Sequence, residues 1–141
     1  MISEKIYALL EEQFGTSIDL EFKEMGKMRI YAFKKCELDI ETHHYGVYFG
    51  KLEKDGLRLS IEGSQMIGPS ARKGVFEVDK DKAVRWMSGE DIEGEVRGYV
   101  MIKWINYFMG CGKGNGVKIR NFIPKGRRIS ANKGLGYYKN Y

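Results

Sequence analysis

Lys113, Lys118, Arg120, Lys125, Arg127 and Arg128 fall within sixteen residues that contain no carboxylate. Arginine offers a planar fork that meets phosphate oxygens through paired hydrogen bonds, and lysine supplies a mobile point charge. Together these residue types capture a polyanion by its phosphates. The acid-free stretch is longer still: residues 101–141 add Lys103, Lys133 and Lys139, for nine basic side chains and no acidic one. The first hundred residues keep fifteen basic against nineteen acidic, so the formal net charge of +5 hides an acidic body and a basic end. That asymmetry points to a surface for nucleic acid.

Within the same stretch Gly110, Gly112, Gly114 and Gly116 alternate with Cys111, Lys113 and Asn115. The spacing predicts a glycine-rich turn, either purely structural or permitting an RNA backbone to approach closely. It departs from the nucleotide-cofactor templates. Lys113 is followed by Gly114 rather than Ser or Thr, and Val117 to Ile123 reads as a strand where a dinucleotide site needs a helix. Trp104, Tyr107, Phe108 and Phe122 are interleaved with the cations and are candidates to stack on bases. Core packing is the expectation for Trp104 and Phe122. Tyr137, Tyr138 and Tyr141 lie in a Gly- and Asn-containing tail suited to stacking or to folding on binding.

Other chemistry is poorly served. His43, His44, Cys36 and Cys111 lack the Cys-x-x-Cys or His-x-x-x-His spacing of a zinc site. No serine sits in a nucleophile elbow, and the Glu90–Glu95 run reads as a solvated loop. The expectation is no catalytic residue, no metal and no cofactor. Two cysteines make no disulfide framework; they read as reduced cytoplasmic thiols, with a single bridge between them left open. No apolar run approaches the roughly 18 residues that span a membrane, and the start lacks the charged and apolar regions of a signal peptide.

The elements that must position these residues are legible in outline. Ile2, Ile6, Leu9, Leu10 and Phe14 recur at helical spacing, with Ser3 placed to cap the start and Gly15 the end. Ile18, Leu20 and Phe22 alternate with charged residues as in a half-exposed strand; residues 28–33 are of ambiguous type after a turn at Gly26. Residues 36–44 read as irregular. Lys54-Asp-Gly between residues 45–52 and 57–61 predicts a hairpin. Residues 63–72 read as a turn or a single helical turn, and 75–78 as a short strand. Asp79 or Asp81 starts a second helix that ends near Ser88-Gly89; residues 90–97 follow as a charged loop and 99–104 as a buried strand. About six short strands and two or three helices make a small, β-rich α+β domain without βαβ alternation.

Gly98-Tyr-Val-Met-Ile-Lys-Trp, followed by Met109-Gly-Cys-Gly-Lys-Gly-Asn-Gly-Val-Lys-Ile-Arg-Asn-Phe-Ile-Pro-Lys-Gly-Arg-Arg, resembles the C-terminal RNA-binding PUA-like domain of Fmu/Sun-type ribosomal RNA cytosine-C5 methyltransferases. Gly110, Gly112, Lys113, Lys118, Asn121, Pro124, Lys125 and Arg128 take the positions of that family's motif, while Cys111 departs from the aromatic residue usual between the two glycines. The resemblance implies a PUA-like pseudobarrel of mixed strands with flanking helices, and RNA binding. It does not imply catalysis, because the methyltransferase half and its cysteine motifs do not match this sequence.

The chain is therefore expected to divide into an N-terminal helix and strand (1–25), a PUA-like domain (26–129) and a basic, aromatic tail (130–141). The expected function is that of a stand-alone domain binding tRNA or rRNA, linked to RNA modification or ribosome biogenesis in the cytoplasm. Lys113, Lys118, Arg120, Asn121, Lys125, Arg127 and Arg128 would contact the RNA. A separate RNA-modifying enzyme is a further candidate partner. Two alternatives stand beside this: a protein-interaction module whose basic end docks an acidic partner, and a small enzyme using Cys111 or the Glu90–Glu95 run.

Overall fold

A computed structural model describes residues 1–34 and 46–129. Cys36, His43, His44 and the tail from residue 130 lie outside the described residues. The element order is α1 (Ile2–Phe14), β1 (Leu20–Glu24), β2 (Arg29–Lys34), β3 (Val47–Glu53), β4 (Gly56–Leu59), α2 (Ile61–Ile67), β5 (Val75–Glu77), α3 (Lys80–Met87), β6 (Ile92–Glu93), β7 (Arg97–Trp104), β8 (Tyr107–Asn115) and β9 (Lys118–Arg120). Single 3₁₀ turns occupy Gly68–Ser70 and Lys125–Arg127. The architecture is α+β and fits a PUA-like pseudobarrel, with nine strands among the described residues where about six were expected.

The strands form two sheets, ordered β1-β2-β3-β4 and β5-β7-β8-β9-β6. The first is an antiparallel meander. Its β3–β4 hairpin turns at Lys54-Asp55, as the Asp-Gly signal predicts, and pairs Glu53 with Gly56. Helix α1 buries Ile6, Leu10 and Phe14 completely against this sheet and ends at Gly15 in the left-handed region, φ 62°. The first turn of α1 corrects the sequence reading. Met1, not Ser3, precedes the helix, and the Ser3 hydroxyl instead bridges the backbone of Phe22, donating to its carbonyl at 3.2 Å and accepting from its amide at 3.0 Å. Gln13, at the other end of α1, closes the edge of β4: its Nε2 donates to the Leu57 carbonyl at 2.9 Å and its Oε1 accepts from the Leu57 amide at 2.7 Å.

In the second sheet β5 runs parallel to β7, and the remaining pairs are antiparallel. The β5–β7 crossover carries α3, a parallel connection that the sequence reading did not anticipate. Asp79 caps α3 by accepting from the Lys82 amide at 2.9 Å. Residues 61–67 form a full two-turn helix, capped by Ser60 accepting from Gly63 N, where a turn or a single helical turn was expected. Its Ser64 is fully buried and bonds on both sides, donating to the Ile61 carbonyl at 2.7 Å and accepting from Gly110 N at 3.0 Å.

Strands β7 and β8 lie between two cores. Tyr99, Met101, Phe108 and Cys111 pack into the core with α1 and the first sheet. Val100, Ile102 and Met109 pack into a second core around Trp86 of α3, Ile92, Ile119 and Ile123. The Trp86 indole donates to the Met109 carbonyl at 2.7 Å, so the largest buried ring leaves no polar group unmet. The expected glycine turn is therefore a strand. Gly110, Gly112 and Gly114 are buried within β8, and only Gly116 sits in the turn to β9. A Cβ on Gly112 would lie 2.5 Å from Ile119 and 2.6 Å from Trp86, and one on Gly114 would lie 2.2 Å from the Val96 carbonyl. These positions are glycine because neighbouring chain occupies the space of a side chain. Gly112→Ala should cost about 1–3 kcal/mol through overpacking, whereas Gly126→Ala, which meets nothing within 4 Å, should be neutral; urea denaturation of both variants checks the contrast.

Candidate nucleic-acid interface

The seven cationic and amide side chains singled out by sequence come together only in part. Lys113 and Arg120 face each other across β8 and β9, and Lys118 follows the turn. The turn itself is tied by Asn115, whose Oδ1 accepts from the amides of Val117 and Lys118 at 2.9 Å each. Lys113, Gly114, Asn115, Lys118, Arg120 and Asp91 line a shallow cavity of about 290 Å³. Lys125 is exposed on the 3₁₀ turn after Pro124. No described carboxylate forms an ion pair with Lys118, Arg120 or Lys125, so these three charges are the most available to a ligand.

The other members are engaged. Lys113 pairs with Asp55 on the β3–β4 turn, and the Tyr99 hydroxyl donates to the same carboxylate at 2.7 Å. The hydrogen bond from Lys113 and then that from Tyr99 hold the Asp55 carboxyl below the usual carboxylate range. Burial, followed by the bond to Asp55, pushes the Tyr99 phenol well above its ordinary value. Arg127 pairs with Glu62 of α2 at 2.6 Å. Arg128 lies against Gly89 and its Nε donates to the Ile123 carbonyl at 2.9 Å. Asn121 uses both ends of its amide: Nδ2 donates to the carbonyls of Trp86 and Glu90 at 2.7 and 2.8 Å, and Oδ1 accepts from Ile123 N at 2.7 Å. Asn121 and Arg128 thus lock the end of β9 to the end of α3.

Sequence reasoning missed Arg58. It lies in β4, far from the basic stretch, yet its guanidinium sits 4.3 Å from the centre of the Phe122 ring, with that of Arg120 at 5.3 Å. The one available signal was its outward alternation with Leu57 and Leu59. Among the described residues, no group of three or more His, Cys, Asp or Glu side chains is arranged to hold a metal ion, and no helix is long and apolar enough to cross a membrane.

Residues 73–129 match the sequence model described as the methyltransferase RsmF PUA domain. Over this segment the chain resembles a PUA domain. It is 29% identical over 98 residues to the ribosomal RNA small subunit methyltransferase F of Aeromonas salmonicida (strain A449), a match covering 67% of this chain and 21% of that protein. A methyltransferase of the same name from Vibrio vulnificus (strain YJ016) is 23% identical over 134 residues, covering 87% of this chain and 28% of that protein. The chain therefore spans between 21% and 28% of the length of these relatives. The PUA match begins just before β5 and includes α3, β6 to β9 and the 3₁₀ turn, so every cation discussed above except Arg58 falls inside it.

Cys111 stands between the PUA-like domain's paired glycines as a core side chain, 3% exposed. Burial pushes its thiol from 9.0 up to about 12. The thiol is thus held neutral, and a thiolate nucleophile is not on hand near neutral pH. Because the folded value is the raised one, the stabilisation from keeping Cys111 protonated is whole below about pH 9 and is lost as pH rises toward 12. In a Cys36→Ser background, Ellman's reagent should titrate no thiol in the native protein at neutral pH and one thiol in guanidinium chloride. Asn121→Ala should lower unfolding stability by about 1–3 kcal/mol, since it leaves partly buried carbonyls and an amide unmet; Lys118→Ala should change it by less than about 0.5 kcal/mol in the same denaturation assay.

Proposed function

We propose that this chain is a non-catalytic RNA-binding unit linked to ribosomal RNA modification, and that it acts as a stand-alone domain on rRNA or tRNA in the cytoplasm. The observation that carries the reading is the set of exposed cations that no described carboxylate pairs with: Lys118 and Arg120, which share a cavity on β9, and Lys125 on the turn beyond it. They lie within a segment similar to a domain of proteins whose name declares a ribosomal RNA substrate. Of the two RNA classes, that name favours rRNA.

Phosphates reach this edge by electrostatic attraction and displace condensed counterions as they bind. Lys118 and Arg120 are first to engage, since neither is held in a described ion pair: Glu93, opposite Lys118, is bound to Arg85, and Asp91 accepts from the Asn121 amide. Lys113 and Arg127 can follow by exchanging Asp55 and Glu62 for phosphate, because both ion pairs are partly exposed and worth little to the fold. Gly116 is the one member of the glycine set on the turn, and close approach of an RNA backbone is confined to it. A separate RNA-modifying enzyme is a further partner that such a unit would serve.

The test is RNA binding by the Lys118→Glu/Arg120→Glu/Lys125→Glu variant. Affinity should fall by about two orders of magnitude or more, and the slope of log affinity against log salt should flatten by roughly 0.7–0.9 for each phosphate that the variant leaves unneutralised. The melting temperature should stay within about 2 °C, because no described ion pair is broken. Unchanged RNA affinity would overturn this reading, and loss of an acidic protein partner in the same variant would assign the basic edge to protein docking.

A further inference from the structure

The outward face of the first sheet carries aromatic rings that neither core uses. Phe22, Ile30, Ala32 and Phe49 point inward and are buried. Tyr31 and Tyr48 point outward from β2 and β3, directly opposite each other in the ladder. Their ring centres are 5.4 Å apart at an interplanar angle of 52°, and Tyr48 is 36% exposed. Phe33 shares their face, with the Lys23 ammonium 5.3 Å from its ring centre.

Cations surround these rings. Lys23 pairs with Tyr31 across β1 and β2, Arg29 pairs with Lys51 across β2 and β3, and Lys51 pairs with Arg58 across β3 and β4. Two carboxylates among the described residues share the face: Glu21, opposite Phe33, and Glu53, which lies 3.6 Å from Arg58. Among the described residues, four cations against two anions leave the face positive, although the first hundred residues are acidic as a whole. The face is also continuous with the basic edge. Tyr48, Arg58, Phe122 and Arg127 line one cleft of about 160 Å³, and Arg58 and Arg120 both lie over the Phe122 ring.

An exposed aromatic pair can serve simply to hold two strands in register. That role calls for neither a surrounding ring of cations nor a cleft leading to Arg120. Rings set among cations on an open sheet face suit unpaired bases, which stack on the rings while their phosphates meet the charges. A duplex cannot use such a face, because its bases are already stacked and turned inward.

We propose that the outward face of the first sheet is a stacking platform for single-stranded RNA, with Tyr31 and Tyr48 as the base-stacking residues. Arg29, Lys51 and Arg58 hold the phosphates, and the strand runs through the Phe122 cleft to Arg120. This rests on the reading of the basic edge as an RNA surface and adds to it a preference for unpaired RNA next to whatever that edge grips.

Fluorescence anisotropy tests it, using a fluorescein-labelled, mixed-sequence RNA of about twelve nucleotides and the blunt duplex of the same sequence. Tyr31→Ala/Tyr48→Ala should weaken single-strand binding by about tenfold or more and leave duplex binding within about twofold. Tyr31→Leu/Tyr48→Leu, which keeps apolar cover on the sheet, should give the same result and guards against a folding defect in the alanine pair. Lys118→Glu/Arg120→Glu should weaken both RNAs. Single-strand affinity unchanged in both tyrosine variants, with the charge reversal still effective, would sink the platform and leave the basic edge standing. A wild-type chain that binds the duplex alone would do the same. Failure to bind either RNA would overturn both readings. A tyrosine variant that turns a dimer into a monomer in sedimentation would make the face a self-association surface instead.

Discussion

The β7–β8 ladder is the constraint on which the rest of the molecule depends. Both of its faces are buried, with Met101 and Cys111 turned to the α1 core and Val100 and Met109 turned to the Trp86 core. A strand in that position must be apolar on every residue or else have no side chain at all. β7 takes the first course with Tyr99 to Ile102, and β8 takes the second with Gly110, Gly112 and Gly114. The register shift between Met101 and Lys103 falls where Gly110 adopts φ 92°, a conformation that a side chain would strain. The shift also aims the Gly110 amide at Ser64, which fixes α2 against the ladder.

From that ladder the cationic edge follows by geometry. β9 pairs on β8 for only two residues, Lys113 with Arg120 and Gly114 with Ile119. So short a strand would fray if its far end were free. Asn121 and Arg128 prevent this by tying the chain beyond β9 to α3 and to its own backbone. Ile119 is buried and Lys118 and Arg120 are exposed on either side of it, so the anchor that seats one side chain in the core turns its neighbours toward solvent.

Period-two and helical patterns were legible where a single face of an element is buried. Helices α1 and α3 and the β3–β4 hairpin are such elements, and the sequence reading placed them closely. The pattern failed at β8, where glycine alternation resembles a turn signal and nothing in the sequence reveals that Ile119, Trp86 and Val96 crowd the missing side chains. It failed again at residues 61–67, because Gly63 and Ser64 look like turn residues until the close approach of Gly63 to the Phe49 carbonyl is seen. Arg58 was invisible as a site residue for another reason: its contact with Phe122 joins β4 to the segment after β9, and no local spacing encodes it.

The resemblance to the PUA family rested on Gly110, Gly112, Lys113, Lys118, Asn121, Pro124, Lys125 and Arg128. Four of those eight, Gly110, Gly112, Asn121 and Arg128, spend their chemistry inside the molecule. A motif of this composition identifies a fold more directly than it identifies a binding surface. The residues proposed to bind are set by a different logic: they are the cations that no described carboxylate holds in an ion pair. Lys118 and Lys125 meet that condition within the motif, and Arg120 meets it beside the motif. Arg29 and Lys51, which no described ion pair engages, meet it on the opposite sheet outside the motif altogether. The phosphate-binding surface proposed for this chain is therefore better sought by asking which charges are left unpaired than by asking which residues match a family.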